Sequence, residues 1–376
     1  MMETNTWSVP CLFGLEGIAA DELRRLKLED VRAENGRVLF SGDLSAMVRA
    51  NLNLRTGERV LLRLGEFPAE TFEELFQGVL ALPLEDFIPR DGSFPVKGYC
   101  LNSALHSVPD CQKIIKKAAA VRLGQKYGLT RLPETGALYQ LQFSLMRDRA
   151  EIFLDTSGAG LHKRGYRAVG NDAPLRETLA AAMVLLTRYR GREVFLDPMC
   201  GSGTIPIEAA WIARNHAPGM QRSFSAQSWQ GVPARLWQEA RTEALDREYH
   251  GDYRILASDI DEKSVTIAQS NAKKAGVSSL IRFDVQDAVR RAVPEGPGIL
   301  VCNPPYGERM MELRQARDLY RRMGVRFSAL RDWKQYILCS DEEFEDFYAS
   351  RATKKRKLYN GMIRCNYYMY YEGRKK

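Results

Sequence analysis

The sequence contains no long hydrophobic run and no export signal at its start. Its longest apolar stretch, residues 179–186, is well short of the roughly 18 residues that a membrane-spanning helix needs. The first seven residues have neither the basic segment nor the apolar segment of a signal peptide. We therefore expect a cytoplasmic protein with no membrane partner.

Cysteine and histidine are sparse and scattered. Seven cysteines occur without a Cys-x-x-Cys pair, and the four histidines are far apart in the sequence. Disulfide frameworks and zinc modules need regular spacings of these residues, so both are disfavoured. The pattern predicts no bound metal and is typical of a reducing compartment.

Two common nucleotide-binding motifs are also missing. No G-x-x-x-x-G-K-[ST] sequence is present, which argues against a nucleoside triphosphatase. A glycine loop does occur at Gly201 and Gly203, but Pro206 stands where a dinucleotide fingerprint requires its third glycine. No acidic residue ends a predicted strand about twenty residues later either. A dinucleotide cofactor is thus disfavoured.

The composition is that of an ordinary globular protein with unevenly placed charge. The chain has 376 residues, 45% hydrophobic and 27% charged, which is enough for two or three domains of ~100–200 residues each. The formal net charge of +8 lies wholly in residues 351–376, around the basic run 354–357. Such a run is either a solvated surface or a site that attracts a polyanion. Charge alone leaves both interpretations open.

The pattern of predicted elements changes near residue 174. Upstream, short strands and helices alternate in two blocks, 6–67 and 71–155, which is typical of small α+β layers. Downstream, helices alternate with strands that are apolar on both faces, as buried parallel strands are. These strands are predicted at 194–196, 254–258, 281–285, 299–302 and 335–340.

Two further features complete the predicted downstream domain. Asn360-Gly361 predicts the turn of an antiparallel hairpin with strands at 357–359 and 362–371. The interval between Gly203 and Asp259 is longer than one crossover helix needs, so we expect a helical insertion at about 215–250. The fold class predicted is therefore α/β, a mostly parallel sheet with a C-terminal antiparallel hairpin, preceded by α+β domains.

Polar motifs follow four of the predicted parallel strands. The first, Asp-Pro-Met-Cys-Gly-Ser-Gly-Thr at 197–204, lets backbone approach a ligand and opens a helix whose N-terminus favours anionic groups. Asp259 follows the next strand, where a carboxylate can accept hydrogen bonds from ribose hydroxyls. Asp261, by contrast, fits a helix N-cap. Asp287 follows the third strand and could accept a hydrogen bond from an adenine amine.

The fourth motif, Asn-Pro-Pro-Tyr-Gly-Glu-Arg at 303–309, is the most specific. Its two prolines remove two backbone donors and stiffen an extended loop. The Asn303 amide oxygen and the Pro304 carbonyl can then accept both hydrogens of an exocyclic amine, which aims the nitrogen lone pair. Tyr306 can stack on the base that carries the amine. A rigid turn with no catalytic role is the alternative.

These motifs, in this order, resemble class I S-adenosylmethionine-dependent amino-methyltransferases. The strings 105–112 and 155–167 resemble the THUMP-containing branch, which includes bacterial 23S rRNA and tRNA guanine-N2 methyltransferases. Members of this branch have often been labelled N6-adenine-specific DNA methylases. The resemblance covers nearly the whole chain. It implies a ferredoxin-like region at 1–60, a THUMP RNA-binding domain at 61–157 and a Rossmann-like methyltransferase domain at 158–376.

The resemblance also implies a cofactor, S-adenosylmethionine, and a set of site residues. The first motif would surround the methionine part of the cofactor, Asp259 and its neighbour would hold the ribose, and Asp287 the adenine. The loop that starts at Asn303 would hold the target base, and Glu177 and Thr178 are further candidates for cofactor contact. The implied cofactor-binding residues are Asp197, Pro198, Met199, Gly201, Gly203, Thr204, Asp259, Ile260, Asp287, Asn303 and Thr178, and the implied catalytic residues are Asn303, Pro304, Pro305 and Tyr306.

The expected partner is structured RNA, with 23S rRNA preferred and tRNA as the nearest rival. A DNA adenine-N6 methyltransferase would share the same target-base loop, and a non-catalytic RNA-binding or ribosome assembly factor is a further alternative. Because residues 1–166 have no net charge, RNA binding there must depend on local clusters. The candidate RNA-binding residues are Lys113, Lys116, Lys117, His162, Lys163, Arg164, Arg167, Lys354, Lys355, Arg356 and Lys357.

Overall fold

The computed structural model describes residues 5–167, 175–292, 294–306, 312–330 and 332–371. It consists of two seven-stranded sheets, one from each half of the chain, with helices packed against both. Within the described residues, no helix is long and apolar enough to cross a membrane.

The first sheet is built from residues 5–155 and has the strand order β2-β3-β1-β4-β7-β6-β5. Its two predicted blocks share this one sheet, because β4 pairs antiparallel with β7. The elements are β1 (Asn5–Pro10), α1 (Glu16–Arg25), β2 (Glu29–Glu34), β3 (Arg37–Gly42), α2 (Leu44–Asn53), β4 (Leu61–Pro68), α3 (Phe72–Leu80), β5 (Val96–Leu101), α4 (Val108–Tyr127), β6 (Leu141–Met146) and β7 (Arg149–Asp155).

The second sheet has the order β10-β9-β8-β11-β12-β14-β13; the strands from β10 to β12 pair parallel, and β14 runs antiparallel to both β12 and β13. The predicted fold class is confirmed. The elements are α5 (Glu177–Leu186), β8 (Val194–Asp197), α6 (Thr204–Arg214), α7 (Ala234–Asp246), β9 (Ile255–Asp259), α8 (Glu262–Lys274), β10 (Ile281–Val285), β11 (Gly298–Cys302), α9 (Leu313–Ser328), β12 (Trp333–Cys339), α10 (Phe344–Tyr348), β13 (Lys354–Asn360) and β14 (Ile363–Tyr370).

The insertion after α6 packs against the first sheet rather than extending into solvent. Phe224, Trp229 and Trp237 are buried in the same apolar cluster as the helices of the N-terminal half. The Trp229 ring stacks on Tyr139 with centroids 4.9 Å apart, and its indole nitrogen donates to the Leu138 carbonyl at 2.8 Å. Burial of large aromatic surface of this kind stabilises the contact between the two halves of the chain.

A buried polar joint also holds the two halves together. The Glu22 carboxylate on α1 accepts hydrogen bonds from the backbone nitrogens of Arg55 and Thr56 at 2.9 and 3.0 Å. Arg55 in turn donates to the carbonyl of His216, which lies beyond α6 in the second half, at 2.9 Å. These groups satisfy one another away from water, as buried polar groups must.

The basic run near the C-terminus lies in a regular strand. Residues 354–357 begin β13, the outer strand of the second sheet, which pairs with β14 around the predicted Asn360-Gly361 turn. The predicted strand started three residues later. Lysines on an outer strand discourage pairing with another chain, so they are compatible with β structure there.

Candidate active site

The four polar motifs meet at one edge of the second sheet. Strands β8, β9, β10 and β11 are parallel neighbours, so their carboxyl ends point the same way. In the register, Asp197 lies opposite Ala257, and Asp259 lies opposite Val285. Crevices outside the carboxyl ends of such strands are where open α/β sheets bind ligands.

The glycine loop and the second motif are hydrogen-bonded to each other. The Gly201 backbone nitrogen donates to one oxygen of Asp259 at 2.9 Å, and the Asp261 nitrogen donates to the other at 3.0 Å. Gly203 has φ +84°, and a Cβ there would lie 2.9 Å from the Cβ of Ala268 on α8. A larger residue would therefore push the loop away from the sheet edge.

Asp197 is a fully buried carboxyl group with one free oxygen. Its Oδ1 accepts from the Met199 nitrogen at 3.1 Å, whereas Oδ2 has no hydrogen-bond partner among the described residues. Burial raises the pKa of Asp197 well above its usual range, and the charge of Asp259 raises it further. A buried acceptor without a partner is suited to a donor that arrives with a ligand.

The second and third strand ends offer both an acceptor and apolar surface. Asp287 is partly exposed, and its Oδ1 accepts from the Val289 nitrogen at 3.0 Å. Ile260 and Val285 are 72% and 50% exposed, although both are aliphatic. Sequence reasoning missed Val285, because it assigned this residue to the sheet interior. An exposed aliphatic pair beside two carboxylates suits a flat aromatic ring with polar edges.

The Asn303 loop is anchored at both of its later residues. The Tyr320 hydroxyl on α9 donates to the Pro305 carbonyl at 3.0 Å, and the Asn360 side-chain amide donates to the Tyr306 hydroxyl at 2.7 Å. Burial raises the pKa of Tyr306, so its hydroxyl stays neutral. Pro304 is buried. Residues 307–309 of the motif lie outside the described residues.

Asn303 itself keeps its acceptor free. Its amide oxygen is buried and has no hydrogen-bond partner within the described parts of the chain. The sequence predicted this acceptor but could not have identified the two anchors, Tyr320 and Asn360, which are distant in the chain.

Thr178 lies at the start of α5 but faces the N-terminal half. Its hydroxyl donates to the Glu58 carboxylate at 2.6 Å, so it links the two halves of the molecule. His162, a candidate RNA-binding residue, lies against the same carboxylate, with 3.1 Å between Nδ1 and Oε2. Glu58 is a contact that sequence reasoning missed. Cofactor contact by Thr178 stays a prediction.

Two of the predicted RNA-binding arginines are placed differently from what the sequence suggested. Arg164 is 2% exposed, pairs with Glu208 at 3.2 Å and donates to backbone carbonyls, so its prediction as an RNA contact is wrong. Arg167 is mostly buried and bonds to Glu177 at 3.0 Å and Thr204 at 2.8 Å. It therefore lies beside the glycine loop, and its contact with RNA stays a prediction. Lys163 between them is exposed.

The remaining basic candidates lie on two exterior surfaces. On α4, Lys113 and Lys117 are exposed, whereas Lys116 pairs with Glu134 at 2.6 Å and covers the Phe94 ring. On β13, three lysines are exposed, and Arg356 donates to the Gly14 carbonyl at 2.5 Å. These β13 lysines are Lys354, Lys355 and Lys357. Within the described ranges, no group of three or more His, Cys, Asp or Glu residues is arranged to hold a metal ion.

Three family descriptions match consecutive parts of this chain. Residues 6–61 match the RlmL ferredoxin-like domain, residues 69–155 the THUMP domain, and residues 164–369 the UPF0020 RMKL-like methyltransferase domain. The chain belongs to the UPF0020 methyltransferase family. This confirms the resemblance that the sequence motifs indicated.

Relatives in this family include enzymes of two lengths. The Bacillus subtilis (strain 168) protein named "Putative RNA methyltransferase YpsC" is 45% identical over 361 residues, 95% of this chain and 94% of its own length. The Psychromonas ingrahamii protein named ribosomal RNA large subunit methyltransferase K/L is 34% identical over 372 residues. That alignment covers 96% of this chain, which spans about half (49%) of the length of the K/L protein.

Solved structures share the fold over the whole chain. A Listeria monocytogenes protein described as a predicted N6-adenine-specific DNA methylase has a TM-score of 0.93 at 46% identity, covering 99% of this chain and 97% of its own. SMU.472, described as "a putative methyltransferase complexed with SAH", has a TM-score of 0.94 at 39% identity, and the match covers all of both chains. TrmN from Thermus thermophilus, at 20% identity and a TM-score of 0.68, shares the fold; it covers 98% of this chain and 99% of its own.

Proposed function

We propose that this chain transfers the methyl group of S-adenosylmethionine to the exocyclic N2 amine of a guanine in structured RNA, with 23S rRNA as the preferred substrate. Family membership and the SAH complex of SMU.472 support the cofactor. The names of YpsC and of the K/L relatives, together with the THUMP match, support RNA. The guanine N2 position rests on the resemblance of the motifs.

One observation carries the proposal: a free, buried amide oxygen on Asn303 follows β11, and a free carboxyl oxygen on Asp197 ends β8, the parallel neighbour of β11. The two strands are parallel neighbours, so an amine held by Asn303 would be close to a ligand held at the glycine loop. Methylation of an amine needs the amine and the cofactor to be held next to each other. Here one strand carries an acceptor for an N–H group, and the adjacent strand carries an acceptor for a cofactor group.

The residues fit the cofactor. Asp197 offers a buried acceptor to the methionine ammonium group, the loop at Gly201 leaves open space, and Asp259 offers its carboxylate to the ribose. Asp287 would accept from the adenine amine, and the exposed Ile260 would pack against a face of the ring. When bound, the cofactor supplies an electrophilic methyl group on a sulfonium centre, so the protein has to orient more than to activate.

The chain's own residues would perform the orientation. Asn303 Oδ1 and the Pro304 carbonyl accept the two amine hydrogens, which aims the nitrogen lone pair away from the loop. Tyr306 packs against the base, and the hydrogen bond from Asn360 holds the hydroxyl end of its ring in place. The base must leave its stack in the RNA to reach this loop, as in other enzymes that modify bases.

The N-terminal half would bind the RNA. We propose the divisions 1–60, 61–157 and 158–376 for the ferredoxin-like, THUMP and methyltransferase modules. Structured RNA is recognised largely by shape and by phosphate contacts. The exposed lysines of α4 and β13 are the cations that would contact the RNA phosphates. The β13 lysines share a hairpin with Asn360, so they would contact RNA near the target base.

The test is a methyl-transfer assay with matched variants. Purified protein is incubated with radiolabelled S-adenosylmethionine and nucleic acids from a strain that lacks the gene, and the acceptors are digested to nucleosides. Asn303→Ala should lose turnover by about 100-fold or more while its affinity for SAH stays within about twofold, because in the proposed arrangement the amide oxygen accepts from the target amine. Asn53→Ala on α2 is the matched control, because it removes an amide that donates to the Arg49 carbonyl of the same helix, in the first half of the chain.

Each outcome has a definite meaning. Label in N2-methylguanosine of large-subunit rRNA supports the proposal in full. Label in tRNA would identify tRNA as the substrate in place of 23S rRNA. Label only in DNA adenine would refute RNA as the partner. Normal turnover by Asn303→Ala would show that this loop does not take part in catalysis. If the protein binds the cofactor but labels neither free RNA nor the RNA of ribosome-assembly particles, we would conclude that it is a non-catalytic RNA-binding factor.

A further inference from the structure

Arg167 presents an unusual guanidinium group beside the glycine loop. Its Nε donates to Glu177 at 3.0 Å, and its Nη2 donates to the Leu175 carbonyl at 3.2 Å and to the Thr204 hydroxyl at 2.8 Å. The third nitrogen, Nη1, is buried and has no hydrogen-bond partner among the described residues. Leaving such a charged donor unpaired is unfavourable, so the position is suited to a ligand acceptor.

The surroundings of Nη1 favour an anion. Thr204, which accepts from the same guanidinium, is the first residue of α6, and the helix N-cap is Gly203, which has no side chain to cap the free backbone donors. A helix N-terminus carries partial positive charge, and a guanidinium adds a fork of directed donors that matches a carboxylate. Both features converge on one end of the glycine loop.

The other end of the loop has the opposite character. Asp197 is fully buried, and its Oδ2 accepts no hydrogen bond from any described residue. The segment 197–204 thus has an unpartnered carboxyl oxygen at one end and an unpartnered guanidinium nitrogen at the other. A zwitterionic amino acid group, with an ammonium and a carboxylate on the same carbon, complements this pair.

We infer that Arg167 binds the α-carboxylate at the methionine end of the cofactor, with Nη1 as the donor that the free protein leaves unused. The inference rests on the proposed function, because it assumes S-adenosylmethionine as the ligand. It gives Arg167 a role in cofactor binding in place of the RNA contact that the basic string 162–167 suggested. Glu177 and Thr204 are then positioning residues, which hold the guanidinium plane toward the loop.

The test compares two ligands that differ only in the carboxylate. S-adenosylmethionine and decarboxylated S-adenosylmethionine share the adenosine, the sulfonium and the ammonium group. In the wild type, removal of the carboxylate should weaken binding by about tenfold or more, as loss of a charged hydrogen bond does. In Arg167→Gln the two ligands should bind within about threefold of each other. Both affinities are measured by calorimetry without RNA.

Two further variants make the result decisive. Arg167→Lys retains a cation and should recover part of the preference for the carboxylated ligand. Arg291 is the matched control, since it is also buried with unpartnered nitrogens but lies beyond β10. Arg291→Gln should leave the ratio of the two affinities unchanged.

The opposite results would overturn the inference. If Arg167→Gln weakened both ligands equally, the residue would only support the loop through Glu177 and Thr204. If it lowered RNA affinity and left the ligand ratio intact, the RNA interpretation would return. If Arg291→Gln abolished the ratio, the carboxylate would belong there. Failure of the proposed function is distinct, since the wild type would then bind neither ligand or methylate no RNA.

Discussion

Asn360, at the turn between β13 and β14, donates its side-chain amide to the hydroxyl of Tyr306, 2.7 Å away. The bond joins the C-terminal hairpin to the loop proposed to hold the target base. The Tyr306 side chain therefore cannot swing away from the hairpin without breaking a partly buried hydrogen bond. The hairpin is a structural support of the site as well as the edge of the sheet.

The first prediction concerns this bond. Tyr306→Phe and Asn360→Ala should each lower kcat several-fold, because a partly buried hydrogen bond contributes about 1 kcal/mol to holding the ring. Both should leave the affinity for S-adenosylmethionine nearly unchanged. The double variant should lose no more than Tyr306→Phe alone, since that variant has already lost the bond that Asn360→Ala removes. Additive losses in the double variant would show that the two residues act separately.

Local signals in the sequence were sufficient for much of the fold. The helix α2 is found at the predicted residues, 44–53, and begins with Asp43, whose side chain accepts from the Ala46 nitrogen at 2.9 Å. The strand β10 also matches its prediction. The strand β2 was missed, because it is polar, almost fully exposed and without apolar alternation. Nor could local patterns reveal that β4 and β7 join the two N-terminal blocks, since that pairing is non-local.

The site followed the same division between local and distant information. The strand-end motifs were predictable because a strand, its end and the following loop are contiguous in the sequence. The string 162–167 was misread as a surface because four of its six residues are basic or histidine. Burial of Arg164 and Arg167 depends on Glu208 and Glu177, which lie elsewhere in the chain. A basic residue becomes a buried structural group only when such partners exist.

The second prediction follows from the burial of Arg164. Replacement by Met should destabilise the protein by about 3–5 kcal/mol, because Glu208 would remain buried without its partner. The adjacent Lys163→Gln, an exposed site, should leave the unfolding midpoint nearly unchanged. Denaturant unfolding of the two variants checks this. An unchanged midpoint for Arg164→Met together with weakened RNA binding would restore the surface interpretation.

The third prediction concerns the exposed lysines of β13. If Lys354 and Lys357 contact phosphate, changing both to Gln should flatten the dependence of RNA affinity on salt by roughly 0.7–0.9 logarithmic units per lost contact. Lys355 is left unchanged, because it pairs with Glu345 at 2.8 Å. Binding is measured by filter retention or fluorescence anisotropy at several salt concentrations.

A matched control separates a specific contact from a general loss of charge. Lys273 and Lys274 are exposed at the end of α8, on a helix that packs with β9 and β10, far from β13 in the sheet order. Changing both to Gln removes the same charge and should leave the slope as in the wild type. If the salt dependence of RNA affinity had the same slope in the two double variants, the β13 lysines would be solvated surface residues without a specific phosphate contact.

The fourth prediction concerns the buried carboxyl group of Asp197. Its charged or titratable neighbours are Asp259 from β9, Cys302 from β11, Tyr367 from β14 and Cys200 in the loop. Burial raises the pKa of each thiol and of the phenol, so Asp259 is the charged group that opposes ionisation of Asp197. The pKa of Asp197 is therefore higher in the folded chain than in the unfolded one.

The sign of the effect on stability follows from this shift. A raised carboxyl pKa contributes its stabilisation fully below the unfolded pKa of about 3.9, and the contribution is lost as the pH rises toward the folded pKa. Asp197→Asn does not titrate and avoids that loss. The variant without cofactor should thus melt higher than the wild type between about pH 5 and 8 and gain nothing near pH 3. Its affinity for S-adenosylmethionine should fall, because the amide cannot balance the ammonium charge. Melting curves with and without cofactor test both effects, and a variant less stable than the wild type at pH 7 would contradict the argument.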